Sequence, residues 1–240
     1  LARRALAAGK AVFVEKPLAT TEAQLRRIER ACASGEPRLM VGFNRRFAPM
    51  LSDMKEAIGN ADGDLVILCR VNAGVIPQGH WVRDEEAGGG RIIGEVCHFV
   101  DLVQYLAGAH VMQVYARRTP REPDNVCVTL AMASGAVATI IYTASGNKAF
   151  PRERVEAFTG RTACAIDDFR RATFAAGGRR WGRRSFVADR GHRRELETFV
   201  ECVRNGLAFP VAFRDYVNTT RATFAIEQSL REGRPVRVEP

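Results

Sequence analysis

A series of short apolar runs, separated by turn residues, fills the middle of this 240-residue chain and limits the folds that it can adopt. The runs extend over Val111 to Ala116, Val126 to Met132, Val137 to Tyr142, Arg154 to Phe158 and Cys164 to Ile166. Segments of this length bounded by turn residues are typical of β-strands. Ser134-Gly135 and Thr159-Gly160-Arg161 stand where hairpin turns would join neighbouring strands. The pattern predicts a large open antiparallel sheet.

Helical spacing of apolar residues is found on both sides of this predicted sheet. The predicted helices extend over Pro49 to Ile58, from the glycines Gly88-Gly89-Gly90 onward, over Glu195 to Asn205 and over Asp215 to Glu232. Gly206 and Gly233 supply stops for the last two. A further β-type run covers Leu65 to Val71. Separate helical and strand regions of this kind predict an α+β fold in which helices flank the sheet.

The first 41 residues have a different organisation. A helix end over Leu1 to Ala8 is followed by Gly9 and by a short apolar strand, Ala11 to Val14. Thr21 begins a second helix that runs to about Ala33, and a strand over Arg38 to Val41 follows. This order predicts the closing half of a β-α-β unit, placed before the large sheet.

The composition excludes several classes of protein. With 46% hydrophobic residues the chain can bury a core, and no apolar run approaches the roughly 20 residues of a membrane span, so we expect no membrane contact and a cytoplasmic location. The net charge of +9 raises the question of nucleic acid. However, the densest basic patch, Arg179 to Arg184, has no helix-turn-helix, zinc-finger or RNP pattern beside it, and we expect no nucleic-acid partner.

The six cysteines are scattered along the sequence without C-x-x-C spacing. That distribution argues against a zinc knuckle and against a small disulfide-stabilised fold. We therefore expect reduced, mostly buried thiols and no metal site.

The first candidate for chemistry is Lys16, which lies directly after the strand Val12 to Val14 and before Pro17. Among 36 basic residues it is one of four lysines, and an amine can release a proton that a guanidinium keeps. Pro17 restricts the backbone of Lys16 to extended conformations, which fixes the amine at the strand exit. The alternative is a solvated lysine at the end of an edge strand, because proline often closes strands.

The second candidate is the segment from Gly88 to Asp101, where polar residues stand inside an apolar helix. Glu95, His98 and Asp101 are each three residues apart, so they share one helical face. A histidine can exchange a proton near neutral pH, and a neighbouring carboxylate would raise its pKa and orient its ring. The alternative is a buried histidine that only satisfies its hydrogen bonds with Glu95 or Asp101.

Three segments in this order resemble the Gfo/Idh/MocA family of oxidoreductases. They are Val12 to Ala19, Val41 to Phe47 and Gly88 to Asp101, and the resemblance extends to the closing helices. It implies hydride transfer between a sugar-like or cyclitol alcohol and NAD or NADP. Lys16 would polarise or deprotonate the hydroxyl, and His98 would lie beside the reacting carbon with Glu95 as the nearby carboxylate.

The chain departs from the family pattern in the helix. Many members carry an aspartate four residues before the histidine, whereas that position is Gly94 here and the carboxylate follows at Glu95. The resemblance therefore leaves the acid–histidine pairing open. The variant around Gly90 to His98, with His80 to Asp84 before it, resembles the subgroup fused to a zinc alcohol-dehydrogenase-like half.

The resemblance also predicts the domain organisation. Residues 1–36 would be the last elements of a truncated Rossmann domain, and residues 37–240 the catalytic, substrate-binding and oligomerisation domain. No G-x-G-x-x-G turn is present, so we expect the cofactor to bind the full-length protein and this segment to bind it weakly. The residues assigned to the cofactor rim are Glu15, Lys16, Asn44, Arg45, Trp81 and Arg83.

These expectations give one interpretation and one alternative. The first is a C-terminal portion of an NAD(P)-dependent dehydrogenase that acts on a small sugar-like substrate and forms homo-oligomers through its open sheet. The arginine-rich region would suit acidic sugars or sugar nucleotides, because arginine matches carboxylate and phosphate groups. The alternative is a non-catalytic binding or oligomerisation module that keeps the family fold.

Overall fold

A computed structural model describes residues 2–33, 35, 37–59, 64–75 and 89–239 of the chain. The helices in these ranges are α1 Ala2–Ala7, α2 Glu22–Ala31, α3 Pro49–Ile58, α4 Cys97–Ala107, α5 His192–Asn205 and α6 Phe213–Glu232. A 3₁₀ turn, Asn44–Phe47, precedes α3, and a π-helical turn, Ile92–Val96, leads into α4. The strands are β1 Val12–Val14, β2 Leu39–Val41, β3 Leu65–Asn72, β4 Val111–Arg118, β5 Val126–Met132, β6 Val137–Thr143, β7 Glu153–Thr159, β8 Thr162–Asp167, β9 Arg171–Ala176, β10 Arg179–Arg184 and β11 Val236–Arg237.

Nine of these strands form one large sheet in the order β10-β9-β8-β7-β3-β6-β5-β4-β11. Neighbouring strands are antiparallel except for β3 and β6, which are parallel. The predicted α+β fold with a large, mostly antiparallel sheet is confirmed. The parallel pair arises because β3 comes from before α4 and inserts between β6 and β7, so no hairpin joins it to either neighbour.

Three strands were missing from the sequence interpretation, namely β9, β10 and β11. β10 is exposed at all six positions and contains four arginines, so it has no apolar alternation to reveal it. Pairing with β9 holds it in place, and the rings of Trp181 and Phe174 stack across the pair at 5.7 Å between centroids. A charged edge strand of this kind also discourages pairing with other sheets.

The core lies between the inner face of the sheet and helices α3, α4 and α6. Ile67, Leu130 and Ile140 from the strands contact Val100 and Ile226 from the helices, and all five are fully buried. Burial of each such side chain stabilises the fold by about 2 kcal/mol. Because α4 is buried along almost its whole length, a polar group on it must face either a partner or a cleft.

A smaller unit contains the parallel pair β1 and β2 together with α1 and α2. Its core includes Leu25, Leu39 and Phe43, and Tyr216 of α6 packs into the same cluster. The predicted domain boundary falls between residues 36 and 37. β2 lies after this boundary, yet it pairs with β1, which lies before it. The predicted two-domain division of the chain stays a prediction.

Gly191 fixes the start of α5 against the 3₁₀ turn. Its φ of +86° lies in the left-handed region, and a Cβ added there would lie 2.4 Å from the oxygen of Asn44 and 2.5 Å from the nitrogen of Ala48. Both atoms belong to the backbone, so they cannot move aside cheaply. This contact brings the residues on either side of Gly191 next to the segment that follows β2.

We expect Gly191→Ala to destabilise the protein by about 3 kcal/mol, because left-handed strain of about 1–2 kcal/mol adds to a backbone clash. Gly206→Ala, at the other end of α5, is a matched control. Its φ is +66°, but a Cβ there meets nothing within 4 Å, so we expect only the strain of about 1–2 kcal/mol. Urea unfolding of both variants measures the difference. Equal losses in the two variants would show that the close approach at Gly191 is unimportant.

Candidate active site

Lys16 lies at the carboxyl end of β1 and reaches the π-helical turn before α4. Its Nζ donates to Oε1 of Glu95 at 2.7 Å and to the carbonyl oxygen of Gly94 at 2.6 Å. The Lys16 side chain is 13% exposed and that of Glu95 is 22% exposed, so the ion pair is largely shielded from water. Shielding makes its charge interaction stronger than that of a surface pair.

The π-helical turn contributes two hydrogen-bond acceptors to the ammonium group of Lys16, namely the Glu95 carboxylate and the Gly94 carbonyl. Such turns shift the hydrogen-bond register of a helix and occur frequently at functional sites. The sequence left the role of Gly94 open. In the structure its backbone oxygen and the adjacent Glu95 side chain together bind Lys16.

His98 follows in the first turn of α4 and is 8% exposed, with its ring edge-on to Phe43 at 5.9 Å. Neither carboxylate of the helical face hydrogen-bonds to it. Glu95 binds Lys16, and Asp101 accepts from Nε of Arg46 at 2.7 and 2.8 Å. Nδ1 of His98 is buried and has no hydrogen-bond partner among the residues that the structure describes.

The pKa of His98 is well below its ordinary value. Burial is the largest cause, and the positive charges of Arg45, Lys16, His192 and Arg152 add to it. The expectation that a neighbouring carboxylate would raise this pKa is therefore wrong, because the nearby acids are already paired with cations. At neutral pH the imidazole is uncharged, so one ring nitrogen can donate a hydrogen bond and the other can accept one.

Four of the six predicted cofactor residues lie within the described ranges, after β1 or after β2. Glu15 and Lys16 follow β1, and Glu15 is exposed. Asn44 donates through Nδ2 to the carbonyl of Arg190 at 2.8 Å, and the guanidinium of Arg45 forms two hydrogen bonds with Glu153, at 2.9 and 3.0 Å. Trp81 and Arg83 lie outside the described residues. The cofactor role of all six stays a prediction.

The sequence interpretation did not include three residues of this region, namely Glu153, His192 and Arg152. Glu153 is 1% exposed at the start of β7, and its carboxylate lies 3.1 Å from Arg190 as well as binding Arg45. Burial acts to raise the pKa of Glu153, but the charges of Arg45, Arg190 and Arg152 outweigh burial and lower it. A glutamate among the alternating apolar residues of a strand is the sequence signal that could have identified it.

Glu195 is a further buried acid near the site. It is 3% exposed on α5, and its Oε1 has no hydrogen-bond partner among the described residues. Burial first, and then the negative charges of Glu15 and Asp101, raise its pKa to about 8. Glu195 and Cys202, seven residues apart, are the buried positions of a helix whose other face is polar, and this spacing marks Glu195 in the sequence.

All six cysteines are free thiols, and five of them are buried. Within the described ranges no three His, Cys, Asp or Glu side chains come close enough together to hold a metal ion. None of the helices described has the length and apolar character needed to cross a membrane.

Two family models match the chain. The model for the oxidoreductase family with an NAD-binding Rossmann fold matches residues 1–43, and that for the GFO/IDH/MocA C-terminal domain matches residues 64–161. Together they cover more than half of the 240 residues. The chain belongs to the Gfo/Idh/MocA family of oxidoreductases.

Individual family members are similar to this protein along nearly its whole length. A myo-inositol 2-dehydrogenase of Thermotoga maritima is 26% identical over 97% of this chain and 74% of its own length. An inositol 2-dehydrogenase of Rhizobium meliloti is 24% identical over 99% of this chain and 76% of its own length. The crystal structure of an oxidoreductase domain protein from Kribbella flavida superposes with a TM-score of 0.85 at 22% identity, covering 100% of this chain and 76% of that one.

The residues of this Gfo/Idh/MocA protein fit a nicotinamide cofactor. In open sheets with parallel strands, nucleotides bind at the carboxyl ends of those strands. Glu15 and Lys16 follow β1, and Phe43 and Asn44 follow its parallel neighbour β2, so all four lie at that edge. Lys16 binds Glu95 of the π-helical turn, which leads into the helix that carries the neutral His98.

We expect the stability of the protein to fall as the pH rises from 4.5 to about 8, because of Glu195. Between the ordinary pKa of 4.5 and the folded value of about 8, the folded protein keeps a proton that the unfolded chain releases. The stabilisation is therefore complete below pH 4.5 and is lost as the pH passes through about 8.

Urea unfolding at pH 5.5 and 8.5 checks this expectation in the wild type and in Glu195→Gln, which should lose less stability between the two values. Glu197→Gln is the control, since Glu197 lies on the same helix and its side chain is 59% exposed. The assignment to Glu195 is wrong if all three proteins show the same pH dependence.

Proposed function

We propose that this protein oxidises or reduces a sugar-like or cyclitol alcohol with NAD or NADP, using Lys16 as the proton-transfer group. The observation that supports this proposal most directly is the contact of Lys16 with Glu95 and Gly94 at the carboxyl edge of β1 and β2, beside an uncharged His98. The polyhydroxy substrate class is supported by relatives named as inositol dehydrogenases.

Lys16 is suited to hold the substrate hydroxyl and its proton. Glu95 and the carbonyl of Gly94 accept hydrogen bonds from Nζ at 2.7 and 2.6 Å, and these contacts orient the amine. A positioned acid–base group of this kind typically accelerates proton transfer by roughly a hundredfold to ten-thousandfold. Glu95, at 2.7 Å, can exchange a proton with the amine and so connect it to the solvent side of the cleft.

His98 would orient the substrate without adding charge. An uncharged imidazole can donate a hydrogen bond to one hydroxyl or accept one from it, and burial in α4 keeps the ring in place. The nicotinamide, when bound, supplies the hydride acceptor or donor at the reacting carbon. During oxidation the ammonium group of Lys16 first gives a proton to Glu95 and then, as the free amine, accepts the hydroxyl proton. During reduction Lys16 gives a proton to the carbonyl oxygen and regains one from Glu95.

The non-catalytic alternative is not favoured. A module that had lost chemistry would not need to keep a lysine, a glutamate and a histidine in this arrangement, since buried polar groups without a role destabilise a fold. We place the activity in the cytoplasm, because nicotinamide cofactors are available there and the six free thiols suit a reducing compartment.

We expect Lys16→Arg to reduce kcat by roughly a hundredfold or more, because arginine keeps the charge but cannot release the proton at working pH. Turnover of myo-inositol by the full-length protein with NAD or NADP measures the effect. Lys10→Arg is the matched control, since Lys10 is exposed before β1 and should tolerate the change. A change confined to KM would mean that Lys16 only holds the substrate.

We also propose that two copies of the protein associate through the outer face of the large sheet. Val66, Leu68, Val137, Ile141 and Phe158 expose between 36% and 44% of their surface there, on the adjacent strands β3, β6 and β7. A contiguous apolar patch of this kind typically marks a protein interface. The same face carries both Arg154 and Asp167, so two copies related by a two-fold axis can pair opposite charges.

Phe158→Lys should convert the assembly to monomers, because it places a charge within this patch. Multi-angle light scattering after gel filtration measures the mass. Phe186→Lys is the control, as Phe186 is fully exposed on the segment after β10. A wild-type monomer, or a dimer that survives Phe158→Lys, would contradict association through this face.

A further inference from the structure

A pocket with an excess of positive charge lies beside the candidate active site. It has a volume of about 310 Å³ and is formed by the loop before β7, the turn between β8 and β9, and the segment before α5. We call it the cationic pocket. Its charged lining residues are Lys148, Arg152, Asp168, Arg170 and Arg190.

The carboxylates near the cationic pocket do not neutralise it. Glu153 serves three arginines at once, with Arg45 at 2.9 Å, Arg190 at 3.1 Å and Arg152 at 3.8 Å. Asp168 accepts a hydrogen bond from the backbone nitrogen of Glu153. The lining holds four cations and one carboxylate, and Lys148 and Arg170 ion-pair with none of the residues that the structure describes.

Like charges at this density repel one another, and this repulsion lowers the stability of the folded chain. Bound anions remove the repulsion, and arginines are the side chains that bind carboxylate and phosphate with two parallel hydrogen bonds. Glu153 also anchors Arg190, which keeps one guanidinium in a fixed position on the wall of the pocket. The arrangement therefore has the chemistry of an anion site.

Glu153 connects the pocket to the helix that carries His98. Its carboxylate binds Arg190 of the pocket and also Arg45, whose guanidinium lies 4.6 Å from the ring centroid of Phe99, the residue after His98. The side chain of Arg152 is 55% exposed and therefore accessible to a ligand. A water molecule occupies ~30 Å³ in the liquid, so the cavity can accept a carboxylate or phosphate group together with part of a sugar ring.

We propose that the cationic pocket binds an anionic group, a carboxylate or a phosphate, carried by the substrate whose hydroxyl lies at Lys16 and His98. This inference rests on the proposed function and narrows its substrate class to acidic sugars. Glu153 hydrogen-bonds Arg190 at 3.1 Å, whereas it lies 3.8 Å from Arg152, whose side chain is 55% exposed. The specificity-determining residues are therefore Arg152 and Arg170.

The test measures kcat/KM of the full-length protein for glucose, glucuronate and glucose 6-phosphate with NAD and with NADP. We expect a preference for one of the two anionic sugars over glucose. Arg170→Gln should lower the ratio of anionic to neutral kcat/KM about tenfold, the effect of one lost charge-assisted hydrogen bond. Arg152→Gln should act in the same direction. The control is Arg161→Gln, an exposed arginine in the turn between β7 and β8, which should leave the ratio unchanged.

A binding arm separates this proposal from the proposed function. Titration calorimetry with glucuronate and with inorganic phosphate should show affinity that Arg170→Gln weakens. Such binding without turnover of any of the three sugars or of myo-inositol would remove the proposed function and keep the anion site. The proposal is overturned if Arg170→Gln leaves the ratio unchanged or if no anion affinity is measurable. It is also overturned if the effect is confined to the KM of NADP, because the anion bound would then belong to the cofactor.

Discussion

The buried carboxylate of Glu153 is the interaction on which the arrangement of this site depends. From the first residue of β7 it binds Arg45 of the 3₁₀ turn and Arg190 of the segment before α5, so three distant parts of the chain meet at one group. Removing one partner of a buried ion pair typically destabilises a protein by about 3–5 kcal/mol, because a charge is left without compensation. The large sheet thus fixes the positions of both segments that surround His98.

The same cluster contributes to the charge state of His98. Burial is the largest cause that lowers the pKa of His98, and the positive charges of Arg45, Lys16, His192 and Arg152 add to it, so the imidazole stays uncharged. Glu95 binds Lys16 and is unavailable to the histidine. Two neighbouring basic side chains therefore differ in charge, one a neutral imidazole and the other an amine held by a carboxylate. Pairs of titratable groups with divergent environments are typical of proton-transfer sites.

Much of the fold could be predicted because its signals are local. Alternating apolar residues identified β4 to β8, and helical periodicity with glycine stops identified α3, α5 and α6 to within a few residues. The edge strand β10 was missed because six exposed residues have no apolar pattern, and its conformation depends on pairing with β9. The parallel alignment of β3 with β6 could not be predicted from the sequence either, since pairing between residues 71 positions apart leaves no local signal.

The candidate site likewise has features that the sequence predicts and features that it does not. The sequence by itself determined which groups stand at the ends of strands and on the face of α4, because Pro17 restricts Lys16 and the three-residue spacing aligns Glu95, His98 and Asp101. Only the tertiary structure decided their partners. Glu95 binds Lys16, Asp101 binds Arg46, and the histidine faces cations instead of acids. Ion pairs between distant segments depend on distances that the packing of the sheet against its helices sets, and sequence spacing carries no information about those distances.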